Sequence, residues 1–553
     1  MRDLNLISQA KIARIIIPRK SRKESGGKVI RYIETILVGT TTQLAFPITN
    51  SANKELRLSN VAAYLIGKAQ KSYHDTRTAP HPRLQMGMIA KRALADAGLV
   101  ATQLDAIACV DPLSWTYADL EKKISRDIGC DDKITTIWKP AGGTTPQDLL
   151  HDITIAMREK RLETAIIMGA EAMRTRRKAV RAGQEPDWPT RDKSVSPMRG
   201  QKAFTSEWES RHGLRLPIQV FPLLENAIGH ANKRNAQQQI IMAAALLNKN
   251  AKVAAHNPNA WFRDAPSASD IAEVTAENRM ISFPYTKRMN AIMDVDQAAA
   301  VVIVSDRFLA KNPHLRLTAA AVLGGAGAEE IWNPLQRHSL SHSPAMQTAL
   351  LAALEYGGLE TKDIDAFDFY SCFPAPIQLA LAALDINQDD PRPFTITGGL
   401  AYAGGPGNNY VMHALATALE QLREKPSQRI LITGVGMANT KHAATLLSHA
   451  NEIPTQATGL TQYRLPTTEE ALEVATEANG LCSVVSYTVE YDRNSEPVNV
   501  IYILDTQDGR RAIANAKDPI NEARVMLSSD PIDKQGDLIW DEEQKKQFFT
   551  LRH

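Results

Sequence analysis

Two stretches of the chain repeat one order of apolar and polar positions. From Leu84 to Ala97 apolar residues recur with helical spacing and stop at Gly98, and GLVATQLDAIACV (Gly98 to Val110) then runs into a short apolar strand. From Met346 to Tyr356 the same pattern stops at Gly357-Gly358, and GLETKDIDAFDFY (Gly358 to Tyr370) follows, with a strand expected over Ile364 to Tyr370. Further along, AGG occurs at Ala141 to Gly143 and again at Ala403 to Gly405, each time before a helix. In the second helix Met412, Leu415, Leu419 and Leu422 recur at spacings of three and four. Both helices lead into apolar strands, AIIMGAEAM (Ala165 to Met173) and ILITGVGMA (Ile430 to Ala438). Two copies of a strand–helix–strand unit predict a duplicated α/β fold, each half a sheet covered by helices.

An insert at 174–277, rich in Arg, Asn, Gln and Pro, separates the copies and carries a helical stretch from Gln237 to Leu247. It leads into ISFPYTKRMNAIMDVDQAAAVVIVS (Ile281 to Ser305), where Ala298 to Val304 predicts a buried strand closing the first half. After Asn451 the period changes. The β-rich runs Leu481 to Asp492, Val498 to Thr506 and Gly509 to Ala516, separated by turns, predict a small OB-like β-barrel. The expected organisation is a basic N-terminal extension at 1–29, a first half at 30–310 including the insert, a second half at 311–452, and the barrel at 453–553.

Composition narrows the functions. A chain of 553 residues is long enough for several domains, and 44% hydrophobic with 23% charged residues is globular rather than disordered. Lys+Arg 64 against Asp+Glu 61, a net charge of +3, argues against a nucleic-acid partner. The four cysteines, Cys109, Cys130, Cys372 and Cys482, are widely spaced without a CxxC pair, so neither a disulfide framework nor a thiolate metal site is expected, and a reducing cytoplasm suits them. No pair of histidines has metal-ligand spacing, and no apolar run approaches the roughly 20 residues that cross a bilayer. No metal and no membrane partner are therefore expected.

The duplicated core, the insert, NPNAWF at Asn257 to Phe262, and PYTK with the following MDVDQAAAVVIVS resemble the thiolase superfamily. The likeness spans about Arg31 to His449 and is nearest to the sterol-carrier-protein-x type. The barrel behind such a core resembles bacterial thiolase-like proteins of type one, and also the OB-fold subunits that accompany some superfamily enzymes. The resemblance implies layered αβαβα halves, with the insert forming a loop domain over coenzyme A. It also implies Claisen chemistry on acyl-CoA, with a CoA thioester as substrate or ligand and no covalently bound cofactor. Thiolases are usually dimers or tetramers, so a homodimer is implied, or a monomer if the added domain occludes that surface.

The family needs a nucleophilic cysteine at a helix N-terminus, a histidine in a Gly-His-Pro loop and a second cysteine for proton transfer. In this sequence Gly142 or Gly143 stands at the nucleophile's place. The histidine's place is Gly405 in Gly404-Gly405-Pro406, and the His-Asp-Cys-Phe motif is replaced by Tyr370-Ser371-Cys372-Phe373. No thioester on the usual cysteine can form. Four glycines before helices, Gly142, Gly143, Gly404 and Gly405, become candidates to hold a carbonyl or anion through free N–H groups. Cys372, Tyr370 and Tyr402 become candidates for proton transfer, if the surroundings lower a phenol that ordinarily titrates near 10. Arg174, Arg176 and Arg177 open the insert and are candidates for the CoA phosphates. Two classes of function follow. One is a divergent acetyl-CoA C-acyltransferase, or a retro-aldolase on a β-hydroxyacyl-CoA of the steroid side-chain type. The other is a non-catalytic acyl-CoA binding or scaffold protein.

Overall fold

Strand β1 (Ala63–Ser72) is followed by β2 (Ala106–Val110), β3 (Thr135–Ile137) and β4 (Thr164–Ala172). Just after the insert come β5 (Met280–Ser282) and β6 (Tyr285–Thr286), before β7 (Asp296–Ser305) completes the first half. The second half holds β8 (Ala320–Glu329), β9 (Ala366–Asp368), β10 (Arg429–Gly436), β11 (Lys441–His449) and the short β12 (Arg464–Leu465). These assignments come from a computed structural model that describes residues 60–552 except 75–77 and 467–468; the basic extension at 1–29 lies outside the described residues.

The duplication predicted from the apolar pattern is present in the sheet. The order β3-β2-β4-β7-β1-β8-β11-β10-β9 runs through both halves, which meet where Tyr64 and Leu65 of β1 pair with Ala321 and Ala320 of β8. Within each half the directions agree: β2 is parallel to β4 as β9 is to β10, and β4 is antiparallel to β7 as β10 is to β11. The outer helices Pro82–Ala97 and Pro344–Gly357 both stop at a glycine in the left-handed region, Gly98 at φ 68° and Gly358 at φ 63°, where a side chain would be strained. Every residue of β7 is buried, as expected for a Val- and Ile-rich strand covered on both faces. Helices Thr145–Arg158 and Tyr410–Glu424, which follow the two AGG triplets, touch strands of both halves and so form the middle layer. The strand expected over Ile364 to Tyr370 is shorter, because after Asp368 the chain turns into the loop that leads to the helix Pro374–Ala383.

The C-terminal runs form a closed barrel of β13 (Gly480–Tyr491), β14 (Pro497–Thr506), β15 (Arg511–Asn515), β16 (Gln535–Asp541) and β17 (Lys546–Leu551). β13 pairs with both β14 and β16, and the circuit closes through β15 and β17. A helix, Pro519–Ser528, crosses between β15 and β16. This is the five-stranded OB arrangement. β5 and β6, just after the insert, extend the barrel's sheet, Glu490 of β13 pairing with Ser282 of β5. The insert helix Pro217–Ala231 packs on β13, where Asn226 Nδ2 donates to the Tyr487 carbonyl at 2.8 Å and Ser486 Oγ to that of Leu223 at 2.6 Å. Leu58–His553 is one compact unit, so barrel, insert and core share an interior.

Candidate functional site

The first AGG loop lies between β3 and the middle-layer helix Thr145–Arg158, and the second lies before Tyr410–Glu424. Both meet the loop after β9 at a cavity of about 540 Å³. Gly142, Gly143, Tyr370, Cys372 and Gly405 all line it, so five of the residues singled out in the sequence are brought together. The rest of the wall is mainly apolar, with Phe221 and Ile218 from the insert helix, Met198 and Phe204 from the insert loop, and Met293 and Met437 from turns. Leu216 and Met293 remain exposed and give an apolar rim. Phe373, next to Cys372, stacks on Phe221 with ring centroids 4.5 Å apart, which ties the insert to the loop after β9. Asn290 and Asn408 supply polar lining side chains. No local signal in the sequence marks these insert residues, because their role depends on where the insert folds back.

Gly142 and Gly143, the two candidates for the nucleophile's place, both line the cavity, and they differ in the room around them. At Gly143 there is none. An ideal Cβ built there would overlap the Val435 carbonyl oxygen and come within 2.7 Å of Tyr370 Oη. The phenol thus fills the space that a side chain at position 143 would take. Gly142 is different: a Cβ there would meet only Gln201 Nε2, at 3.6 Å. The N–H groups of Gly143 and Thr144 have no hydrogen-bond partner among the described residues. They stand at the positive end of the middle-layer helix.

Several expectations are corrected. Tyr402 does not face the cavity; its hydroxyl donates to the Arg288 carbonyl at 3.3 Å, because its loop is held from behind by Phe262 N–H on the Tyr402 carbonyl and Trp261 N–H on that of Ala403. This pairing is what NPNAWF does in the fold. Gly404 is also outside the wall; its φ is 111° and a Cβ there would overlap the Gln297 side chain, so the turn requires glycine. Gly405 lines the cavity, but its N–H donates to the Ile292 carbonyl at 2.9 Å and is not available to a ligand. Tyr370 is not an activated base. Burial, and then the neighbouring Cys372, push its phenol well above the usual value, and burial likewise raises the Cys372 thiol well above a normal cysteine despite N–H bonds from Phe373 and Cys372 itself. Both groups are neutral near pH 7 and act only as hydrogen-bond donors or proton sources. The Tyr370 hydroxyl has no hydrogen-bond partner among the described residues, while its ring meets Tyr410 edge-on at 5.5 Å.

Arg174, Arg176 and Arg177 lie on the helix Met173–Arg181, off the cavity wall. The Arg174 guanidinium stands 5.3 Å from the Trp261 ring centre, and Arg177 pairs at 3.5 Å with Asp294, the residue after Met293 of the rim. Behind the cavity, Glu171 accepts from the N–H groups of Leu113 at 2.6 Å and Ser114 at 2.9 Å. Burial outweighs those bonds and raises its carboxyl to about 7. The four cysteines are free, no cluster of metal-ligating residues occurs among the described residues, and no described helix is long and apolar enough to cross a membrane.

Residues 465–543 match the family model described as the thiolase-like protein type 1 additional C-terminal domain. No curated protein matches the chain significantly. Among solved structures, a monomeric SCP2-thiolase like protein type 1 from Mycobacterium smegmatis is 26% identical with a TM-score of 0.72, over 89% of this chain and 99% of that one. The Ltp2-ChsH2(DUF35) aldolase aligns at 17% identity and TM-score 0.55, over 72% of this chain and 100% of that one. An acetyl-CoA acetyltransferase from Syntrophomonas wolfei aligns at 12% and 0.52, over 70% and 99%. The last two likenesses concern the fold alone. With the duplicated sheet, the buried middle helices and the closed barrel, these matches show a thiolase fold that carries, over residues 465–543, the additional C-terminal domain described for thiolase-like proteins of type 1.

Proposed function

We propose that the protein binds an acyl-CoA thioester in the apolar cavity without forming an acyl-enzyme. The observation that carries this reading is a glycine loop at the cavity with no cysteine in it, where the Tyr370 hydroxyl takes the space that a side chain at Gly143 would need. The acyl group lies against the Phe221, Ile218 and Met437 side of the wall. Its carbonyl is polarised by the N–H groups of Gly143 and Thr144 and by the neutral Tyr370 hydroxyl. Arg174, Arg176 and Arg177 are assigned to the CoA phosphates, beyond the Met293 rim. Claisen condensation through a cysteine thioester is not part of this function. Because no group lining the cavity is ionised as a base near neutral pH, binding without turnover is the first reading.

The second reading is a retro-aldol lyase acting on a β-hydroxyacyl-CoA. What favours it is the neutral donor set, suited to an enolate, together with the likeness to a structure described as an aldolase. Calorimetry with CoA, acetyl-CoA, acetoacetyl-CoA and a β-hydroxyacyl-CoA, run beside a turnover assay on the same panel, tests both. Thioesters that bind more tightly than CoA, weakened up to about tenfold by Tyr370→Phe as one hydrogen bond is lost, support the first reading. Cleavage of the β-hydroxyacyl-CoA that disappears in Tyr370→Phe or Cys372→Ala supports the second. Failure to bind any CoA compound refutes both.

A further inference from the structure

The turn that joins β10 to β11, Gly436 to Thr440, has an unusual backbone at the wall of the apolar cavity. Met437 takes φ 59° and Asn439 φ 56°, both in the left-handed region, while Gly436, the residue best suited to that region, stays out of it. Among the described residues ten that are not glycine have a positive φ, and Met437 is the one apolar residue of the ten. Asparagine is helped into this conformation by a short polar side chain that bonds locally, and methionine has no such help.

The surroundings hold the turn in place. The buried Arg337 donates from Nε to the Ile331 carbonyl at 2.9 Å, from Nη1 to that of Ala438 at 3.0 Å, and from Nη2 to Thr440 Oγ1 at 2.9 Å. Thr440 N–H closes the turn on the Gly436 carbonyl at 3.1 Å. Moving the turn would strip a buried guanidinium of its acceptors, so the strained conformation at Met437 persists. From Leu431 to Thr440 every residue is buried except Met437, which is partly exposed and lines the cavity.

The residues just before Met437 abut the first glycine loop. A Cβ built at Gly143 would overlap the Val435 carbonyl oxygen, and one built at Gly436 would stand 3.7 Å from Gly143 N. Met437, next in the chain, therefore stands close to the N–H groups assigned above to the thioester carbonyl.

We propose that Met437 is a specificity-determining residue of the acyl site: its side chain takes the space next to the thioester carbonyl. The cavity then admits acyl groups that leave the carbonyl as a straight apolar chain and excludes those that carry a branch or ring on the first carbon. The inference rests on the thioester reading above and narrows its substrate class. A thioether is flexible at its end, but the Cβ of Met437 starts from a pinned backbone and cannot withdraw.

Two thioesters with the same number of acyl carbons test it, heptanoyl-CoA with a straight chain and cyclohexanecarbonyl-CoA with a ring on the carbonyl. Calorimetry on the wild-type protein should show heptanoyl-CoA bound about fivefold more tightly or better, the scale of overpacking against a fixed side chain. The ratio should fall to about one in Met437→Gly and part of the way in Met437→Ala, while CoA itself binds all three proteins equally. Urea unfolding reads the backbone separately: the midpoint of Met437→Gly should lie above that of Met437→Ala, the reverse of the usual order, because only glycine relieves a left-handed position. Equal binding of the two thioesters by the wild-type protein, or a ratio that survives in Met437→Gly, overturns the proposal while leaving the thioester reading intact. A midpoint for Met437→Gly below that of Met437→Ala removes the pinned backbone on which the exclusion depends and overturns it as well. Binding of no CoA compound refutes the thioester reading, and the inference falls with it.

Discussion

Gly142 and Gly143 are neighbours in sequence, yet alanine at the two positions should act in opposite directions. At 143 the new methyl group would overlap the Val435 carbonyl oxygen and stand 2.7 Å from Tyr370 Oη and 3.0 Å from its Cζ. Backbone oxygen and a buried ring cannot swing aside, so overpacking of about 1–3 kcal/mol is expected. At 142 the methyl group meets only the Gln201 amide, at 3.6 Å, in a backbone conformation open to any residue. There the loss of unfolded-chain entropy should stabilise the protein by about 0.4–1 kcal/mol. Urea unfolding of wild type, Gly142→Ala and Gly143→Ala, followed by far-UV circular dichroism and tryptophan fluorescence, should order the midpoints 142 above wild type above 143, with similar slopes. Adding Tyr370→Phe to Gly143→Ala should recover part of the loss, because removing Oη leaves Cζ and the Val435 oxygen in place. Equal midpoints for the two alanine variants would refute the steric argument, and with it the claim that the tyrosine fills the space of a side chain at position 143.

Four buried histidines, His151, His212, His413 and His442, are held by burial at about 3, 4, 4 and 3. These values lie below that of an unfolded histidine near 6.5, so the stability they confer is complete above that pH and falls as pH drops towards 4. Denaturant midpoints should decline from pH 7 to 5, less steeply in His442→Asn. Glu171 has the opposite sign: its raised value near 7 means a contribution present below about 4.5 and lost as pH rises through 7. Glu171→Gln should therefore flatten the pH dependence between 5 and 7.5, by up to about 1.4 kcal/mol per pH unit for one proton, and an unchanged profile would remove Glu171 from this role. Deleting the barrel from Gly480 onward would bare the face of helix Pro217–Ala231 that packs on β13 and strand the Asn226 amide. The truncated chain should be insoluble or unfolded, as judged by gel filtration. Arg176→Met with Arg177→Met should weaken CoA binding in a salt-dependent manner and shift unfolding by less than about 1 kcal/mol, since the Arg177–Asp294 pair is solvent-exposed.

The apolar pattern alone determined the duplicated halves, the glycine-terminated outer helices, the strands ending the two AGG units and the β-rich C-terminal region. Each depends on residues two to four positions apart, and such periods are written in the chain itself. The resemblance singled out Gly142 or Gly143, Tyr370 and Cys372, and the fold brings these residues to one cavity, because loops at strand ends keep their place when their side chains change. What the sequence could not determine is direction and occupancy. Tyr370 turns into the cavity and Tyr402 away from it, towards Arg288. Gly405 lines the wall but gives its N–H to Ile292, while Gly143 keeps its own free. These outcomes depend on contacts between residues such as 143 and 370, or 292 and 405, far apart in the chain and set only when insert, loops and both halves close on one another. The same closure decides protonation: a phenol and a thiol that would be ordinary in water are kept neutral because folding removes the solvent that would stabilise their charge.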